Sequence, residues 1–187
     1  TNNLASSAGY YVEIDPTAIE DTNGNDFAGI SGDTEFNFTT ADSEAPVILS
    51  TTPADDAGNV AVGDDFVITF SEDIVADTGN IVIFNADGTP FETIPVGDPR
   101  ITIAGDTLTI NPTNNLASSA GYYVEIDPTA IEDTNGNDFA GISGDATFNF
   151  TTAAPVDNTP PTVVSTSPAD NAGNVAVRSE EQKTEQQ

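Results

Sequence analysis

Residues Thr1–Val12 return as Thr113–Val124, and the two copies continue together through Thr40 and Thr152. Between them only Thr34-Glu35 change, to Ala146-Thr147. A second match begins at Pro46, whose Pro-Val-Ile-Leu-Ser-Thr-Thr-Pro-Ala-Asp returns in altered form from Pro161. The first offset is 112 residues and the second is 115, so Ala41–Ala45 corresponds to the longer Ala153–Pro160. A length change at that place marks a linker, because connections tolerate insertion far better than core strands do. A period of about 112 residues is too long for one solenoid unit and suits a whole domain repeated along the chain. The sequence therefore predicts four parts. Residues 1–41 are the C-terminal part of one repeat, and 42–154 are a complete repeat. Residues 155–177 start a further repeat, and 178–187 are a non-repeat, disordered tail or cloning remnant.

Within 42–154 the apolar residues fall in short alternating runs, the pattern of half-buried strands. Strands are expected near Val47–Ser50, Phe66–Phe70, Ile81–Phe84, Phe91–Val96, Arg100–Ala104, Thr107–Ile110, Tyr122–Ile126 and Thr147–Thr151. Asp87-Gly88 and Gly105-Asp106 are turn signals between them. No segment has a sustained helical period, although Ala117–Ala120 could form one turn. Leu116 lies six residues before Tyr122, as Leu4 does before Tyr10, an arrangement that resembles a tyrosine corner. The expected fold is all-β, an immunoglobulin-like antiparallel β-sandwich in tandem repeat. Residues 42–154 should fold alone. The flanks, with two strands and one strand of their own repeats, should be poorly ordered or paired outside their native register.

Charge narrows the partners. The chain has three Lys and Arg against 31 Asp and Glu, and residues 1–177 hold one cation, Arg100, against 28 acids, a formal charge of −27. Such a surface repels nucleic acid and anionic membranes, since both are held by Lys and Arg. Two readings of the acidity stand side by side: specific binding of divalent cations, and a solvating surface suited to a saline habitat. With no His and no Cys, the usual general base, transition-metal ligands and disulfides are all absent. The Ser and Thr residues of 1–177 have no His or Lys to activate them, so no enzymatic activity is expected. The acidic pairs Asp55-Asp56, Asp64-Asp65 and Glu72-Asp73 read as solvated loop residues. Asn37-Phe-Thr and Asn149-Phe-Thr match a glycosylation sequon by chance within the last strand. No apolar run approaches the length of a membrane span.

The candidate cation loop is Asp133-Thr-Asn135-Gly-Asn137-Asp138, repeated as Asp21, Asn23, Asn25 and Asp26. Four oxygen-bearing side chains around a glycine suit Ca²⁺, although the spacing is not that of an EF-hand. An Asx-rich turn alone accounts for the same residues. In a sandwich of this type the loop lies at the pole where the entry linker arrives. Asp42 and Glu44 are therefore expected beside it, with the acids of the loop after Phe70, and calcium there would stiffen the junction between repeats.

Pro160–Val177, together with Ile68–Asp73, Thr107–Ile110, Tyr122–Ile126, Asp133–Asn137 and Phe148–Thr152, resembles the bacterial Ig-like domain of the SbsA, or S-layer, type. The resemblance covers essentially all of 1–177. It implies a module found in tandem in large adhesins, surface-layer proteins and secreted multidomain proteins, at the bacterial cell surface or outside the cell. Some bacterial surface Ig domains are stapled by Lys–Asn isopeptide bonds. Residues 1–177 have no Lys, which leaves a bound cation as the remaining staple. The expected role is a structural spacer whose partners are the neighbouring repeats. The alternative is an accessory domain of a secreted hydrolase, with carbohydrate held by exposed aromatics such as Tyr123 and Phe91.

Overall fold

The computed structural model describes residues 3–176, and the predicted tail 178–187 lies outside the described residues. The chain divides into two units, Thr1–Pro155 and Val156–Gln187.

The first unit contains all thirteen strands found among the described residues. Strands β1 (Gly9–Tyr11) and β2 (Asn37–Thr39) form a two-stranded sheet. The sandwich follows as β3 (Ile48–Thr52), β4 (Ala57–Val60), β5 (Phe66–Phe70), β6 (Ile74–Ala76), β7 (Asn80–Asn85), β8 (Pro90–Pro95), β9 (Ile101–Ala104), β10 (Thr107–Ile110), β11 (Gly121–Ile126), β12 (Ile131–Asp133) and β13 (Asn149–Thr152). One sheet has the order β3-β5-β10-β9 and the facing sheet β4-β13-β11-β7-β8. A short β12-β6 pair closes one pole. The architecture is all-β and immunoglobulin-like, as expected.

Alternation explains the two faces. Side chains of a strand point to opposite sides with period two. Phe66, Ile68 and Phe70 of β5, Leu108 and Ile110 of β10, and Tyr122, Val124 and Ile126 of β11 are all buried. Phe66 packs on Phe150 with ring centroids 5.1 Å apart, and Phe70 meets Phe139 edge-on at 5.2 Å. Gly105, at φ +62°, takes the first place of the β9–β10 hairpin turn, where only glycine is unstrained. The segment Ala117–Ala120 forms a turn and no helix.

One pairing sets the topology. After β3 the chain crosses to the second sheet, and β4 pairs parallel with the final strand, Phe150 opposite Ala57 and Thr152 opposite Val60. Asp56 and Asn59 make this crossing with φ near +60°, a region that Asp and Asn tolerate better than other non-glycine residues. The Tyr122 hydroxyl accepts a hydrogen bond from the Ala117 backbone N–H at 2.9 Å, which establishes the tyrosine corner. The buried Thr152 hydroxyl accepts from Ala120 N–H at 2.9 Å and donates to the Ala117 carbonyl at 2.6 Å.

Residues 3–41 differ from expectation. Strand β1 pairs β2 in the native register, with Tyr10 opposite Phe38 as Tyr122 is opposite Phe150. The cause is local. Tyr10 hydroxyl caps Ala5 N–H at 2.7 Å, Thr40 hydroxyl caps Ala8 N–H at 2.9 Å, and Asp21 caps Asn23 and Asn25 N–H. These bonds need no facing sheet. The apolar residues have none either: Phe36 is 48% exposed and Phe38 39%, whereas Phe148 is 0% and Phe150 2%.

In the second unit the described residues 156–176 form no strand, and Val163 and Val164 are exposed. Asn171 and Asn174 have positive φ, at 60° and 53°.

Candidate cation site at the linker pole

Asp133 ends β12, and its carboxylate is buried although it carries charge. Its own loop satisfies it. Oδ1 accepts the Asn135 and Asn137 backbone N–H groups at 2.7 and 2.8 Å, and Oδ2 accepts the Asn137 side-chain amide at 2.7 Å. The loop turns at Gly136, φ +85°. Burial alone would raise the Asp133 pKa. The backbone and side-chain donors of Asn137, with those of Asn135 and Gly136, outweigh it and hold the carboxyl below the usual aspartate range. A buried carboxylate is thereby kept ionised.

Two further carboxylates from other segments meet it. Asp42 comes from the linker and Glu72 from the loop between β5 and β6. Carboxylate oxygens of Asp42, Glu72 and Asp133 all lie within 4.8 Å of one another. Asn135 donates its amide to Asp42 Oδ2 at 3.3 Å, so linker and loop touch. The linker is also tied to the preceding segment, as Ser6 donates its hydroxyl to Asp42 at 2.9 Å and accepts Ser43 N–H at 2.8 Å. Bonds from Glu44 N–H and the Ser6 hydroxyl lower the Asp42 pKa. Glu72 has no such donors. Desolvation, then the charges of Asp133, Asp42 and Glu44, raise its pKa.

The other residues expected at the site are distributed differently. Glu44 is exposed and stands outside the triad, acting on Glu72 through its charge. Asp138 belongs to a second group with Asp77 and Glu132, again with carboxylate oxygens within 4.8 Å of one another. Alternation is the reason: Glu132 and Asp133 are successive in β12 and point to opposite faces, and Asp138 bridges to Glu132. Asn137 serves as the clamp on Asp133. In the first copy Asp21, Asn23, Asn25 and Asp26 form the same turn, with Asn25 donating its amide to Asp21 at 2.9 Å. No three carboxylates come together at that turn among the described residues, and all four side chains are exposed. Glu132 was not singled out from the sequence; its position between Ile131 and Asp133 in an alternating run was the available signal.

Three clustered carboxylates with asparagine amides nearby fit a hard, oxygen-seeking dication. Without His or Cys the chain offers no site for a softer metal.

A separate feature lies on the outer face of the five-stranded sheet. Phe84 and Tyr123 stack across β7 and β11 with centroids 4.9 Å apart and planes 8° from parallel. Beside Tyr123 a groove is lined by Asp55, Asp56, Asp145 and Asn149. Phe91, the other aromatic expected to be available, packs edge-on against Tyr122 at 5.5 Å and belongs to the core boundary.

Arg100 has its partners within the domain. It donates to both oxygens of Asp98 at 2.9 Å and pairs with Glu92.

Among curated proteins none matches the chain. Among solved structures, CopC from Methylosinus trichosporium OB3b is similar over 61% of this chain and 99% of its own, at 12% identity and a TM-score of 0.43. The family model of the bacterial Ig-like domain matches residues 42–152, the span that builds the sandwich from linker to last strand, and the chain belongs to that family.

Proposed function

We propose that the chain is a non-catalytic spacer module of a bacterial cell-surface or secreted protein of the adhesin or surface-layer kind, stiffened by calcium at its linker. The observation that carries this reading is the position of Asp42. It belongs to the linker, yet its carboxylate lies with those of Glu72 and Asp133, which belong to the sandwich. Three like charges at one junction repel, and a dication among them converts that repulsion into a tie. Asp42, Glu72 and Asp133 would hold the ion, with the Asn135 amide turned to present its oxygen. The ion would supply a link between successive domains and no reaction. Localisation outside the cytoplasm agrees with the family and with the acidic surface. The neighbouring repeats are the partners; nucleic acid and membrane are not.

Calorimetric titration of the 187-residue chain with Ca²⁺ tests the reading, with Asp42→Ala as the comparison. Binding that is lost in Asp42→Ala supports the linker site. Equal binding by both proteins places the ion elsewhere and removes the stiffening role.

A second reading has its own observation. The half-exposed Phe84–Tyr123 stack beside a polar groove is the kind of surface on which a sugar ring lies, as in an accessory domain of a secreted hydrolase. Glycan-array binding that disappears in Tyr123→Ala would favour it.

A further inference from the structure

The exposed apolar face of residues 4–40 has a known complement, because the same residues are already docked once in this molecule. Residues 116–152 repeat them, and there the facing partner is the half-domain 46–111. In the docked copy Leu116, Ile131, Phe139, Phe148 and Phe150 are buried against it. In the free copy Leu4, Ile19 and Phe27 are 53%, 51% and 41% exposed. The core cannot tell the copies apart. They differ only at Thr34/Ala146 and Glu35/Thr147, and Ala146 and Thr147 are both exposed in the complete domain.

The free copy also holds the docked backbone conformation. Val12 N–H donates to Phe36 carbonyl at 2.9 Å as Val124 does to Phe148 at 3.0 Å. Ile14 to Ile30 matches Ile126 to Ile142, and Phe27 to Ile19 matches Phe139 to Ile131. Ser7 and Ser119 share a positive φ, at 48° and 53°. Little ordering is left to be done on docking, which favours association.

We infer that residues 3–40 are a second C-terminal half that competes with 113–152 for the half-domain 46–111 of the same chain. The competing state is a circularly permuted sandwich: β1 and β2 take the places of β11 and β13, and 113–152 are released. Connectivity allows it. In the permuted state Thr40 lies beside Val60 as Thr152 does now, while Val47 stays bonded to Ser71 at the other end of β5. Strand β5 is roughly 14 Å long by its rise, and the seven steps of chain from Thr40 to Val47 can reach about 24 Å. Loop-closure entropy changes slowly with loop length, so the short linker does not forbid the exchange. What favours the direct state is the linker's present contacts, Asp42 with Asn135 and Ser6 with Asp42 and Ser43. The direct sandwich is thus the major state and the permuted one the minor. The own chain is preferred over a second copy as partner because a short linker gives a high effective concentration.

Engineered disulfides read the two states, and the absence of native Cys keeps the readout clean. Val82 is opposite Glu125 in β7–β11, so Val82→Cys with Glu125→Cys reports the direct sandwich. Glu13 occupies the position of Glu125 in the first copy, so Val82→Cys with Glu13→Cys reports the permuted one. Val82→Cys with Glu20→Cys is the mismatched control. The full-length double variants are oxidised in native buffer and, separately, during dilution from urea, and cross-links are mapped by mass spectrometry. The direct pair should close almost completely, which also shows that the fold tolerates the substitutions. The 13–82 pair should close within monomers, at a fraction unchanged by tenfold dilution and several-fold higher when oxidation accompanies refolding. A 13–82 yield no greater than that of the mismatched pair in both conditions, or cross-links confined to dimers, would overturn the inference.

Discussion

Glu72→Gln isolates the electrostatics of the linker pole. The substitution keeps shape and removes one charge from a triad whose oxygens lie within 4.8 Å. At that separation two unit charges in a water-like dielectric repel by about 1 kcal/mol, and the Asp133 charge acts on Glu72 at such a distance. Asp42 and Glu44 add repulsion of the same sign. In EDTA and low salt at pH 7, Glu72→Gln should therefore be more stable than the parent by about 1 kcal/mol. The pH dependence has a definite sign. The folded-state pKa of Glu72 is raised, so the folded protein binds the proton more tightly than the unfolded chain. The parent then loses stability as pH rises from the ordinary glutamate value through the raised one, while Glu72→Gln does not. Asp133 behaves oppositely: its pKa is lowered, its contribution is present above the ordinary aspartate value, and it is lost in both proteins as pH falls through the folded value. Urea unfolding followed by far-ultraviolet circular dichroism at pH 4, 5.5 and 7 measures the difference. It should grow with pH and flatten above the Glu72 titration, and saturating calcium should reverse its sign. A Glu72→Gln protein no more stable than the parent at pH 7 in EDTA would refute the repulsion argument.

Three further outcomes follow from the geometry. Tyr122→Phe leaves Ala117 N–H without its partner at the corner and should lower stability by about 1 kcal/mol in the same urea assay. Leu108→Ala empties a fully buried position of β10, a strand with no second copy in the chain, and should cost about 3 kcal/mol. At −27 over residues 1–177 the melting temperature in EDTA should rise with NaCl, and calcium should add more than magnesium at matched ionic strength because magnesium demands octahedral geometry and keeps its water; equal effects of the two ions would favour a saline-adapted surface over a specific site.

The parts of the fold that the sequence made legible are those in which alternation and burial coincide. Strands β5 and β10 fall on the expected Phe66–Phe70 and Thr107–Ile110, and β11 starts one residue before the expected Tyr122. Strands β4, β6 and β12 were not foreseen. Each has three or four residues, and Ala57-Gly-Asn-Val or Ile131-Glu-Asp is too short for its alternation to stand out as a strand. Their existence depends on long-range pairing, parallel to β13 for β4, which no local pattern encodes. The candidate site divides in the same way. Asp133 was visible because Asx residues crowd around a glycine, and the approach of Asp42 followed from the topology of the pole. The separation of Asp138 from Asp133 was hidden, since it depends on which side of β12 each side chain takes. The order within 3–41 was hidden too, because hydroxyl and carboxylate caps hold that segment without a core.

The linker site and the competition between halves act on the same residue, which joins them into one testable expectation. In the direct sandwich Asp42 lies with Glu72 and Asp133 and meets Asn135. In the permuted sandwich Thr40 moves to the Val60 end, the linker is drawn along the domain, and Asp42 leaves the triad. Asp21 then takes the place of Asp133 beside Glu72, so the permuted state keeps two of the three carboxylates and loses the one supplied by the linker. A ligand shifts an equilibrium only by its differential affinity for the two states. Calcium held by three carboxylates in one state and two in the other has that differential, and it favours the direct sandwich. Addition of calcium should therefore lower the yield of the 13–82 disulfide several-fold and leave the 82–125 disulfide unchanged. In Asp42→Ala, where both states offer the same two carboxylates, the yield should no longer respond to calcium. If the 13–82 yield is the same in EDTA and in saturating calcium while calcium still binds, the ion does not use Asp42. A module that mispairs less when calcium is present would gain from the linker site a safeguard of register as well as stiffness, and that safeguard matters most where neighbouring segments are nearly identical in sequence.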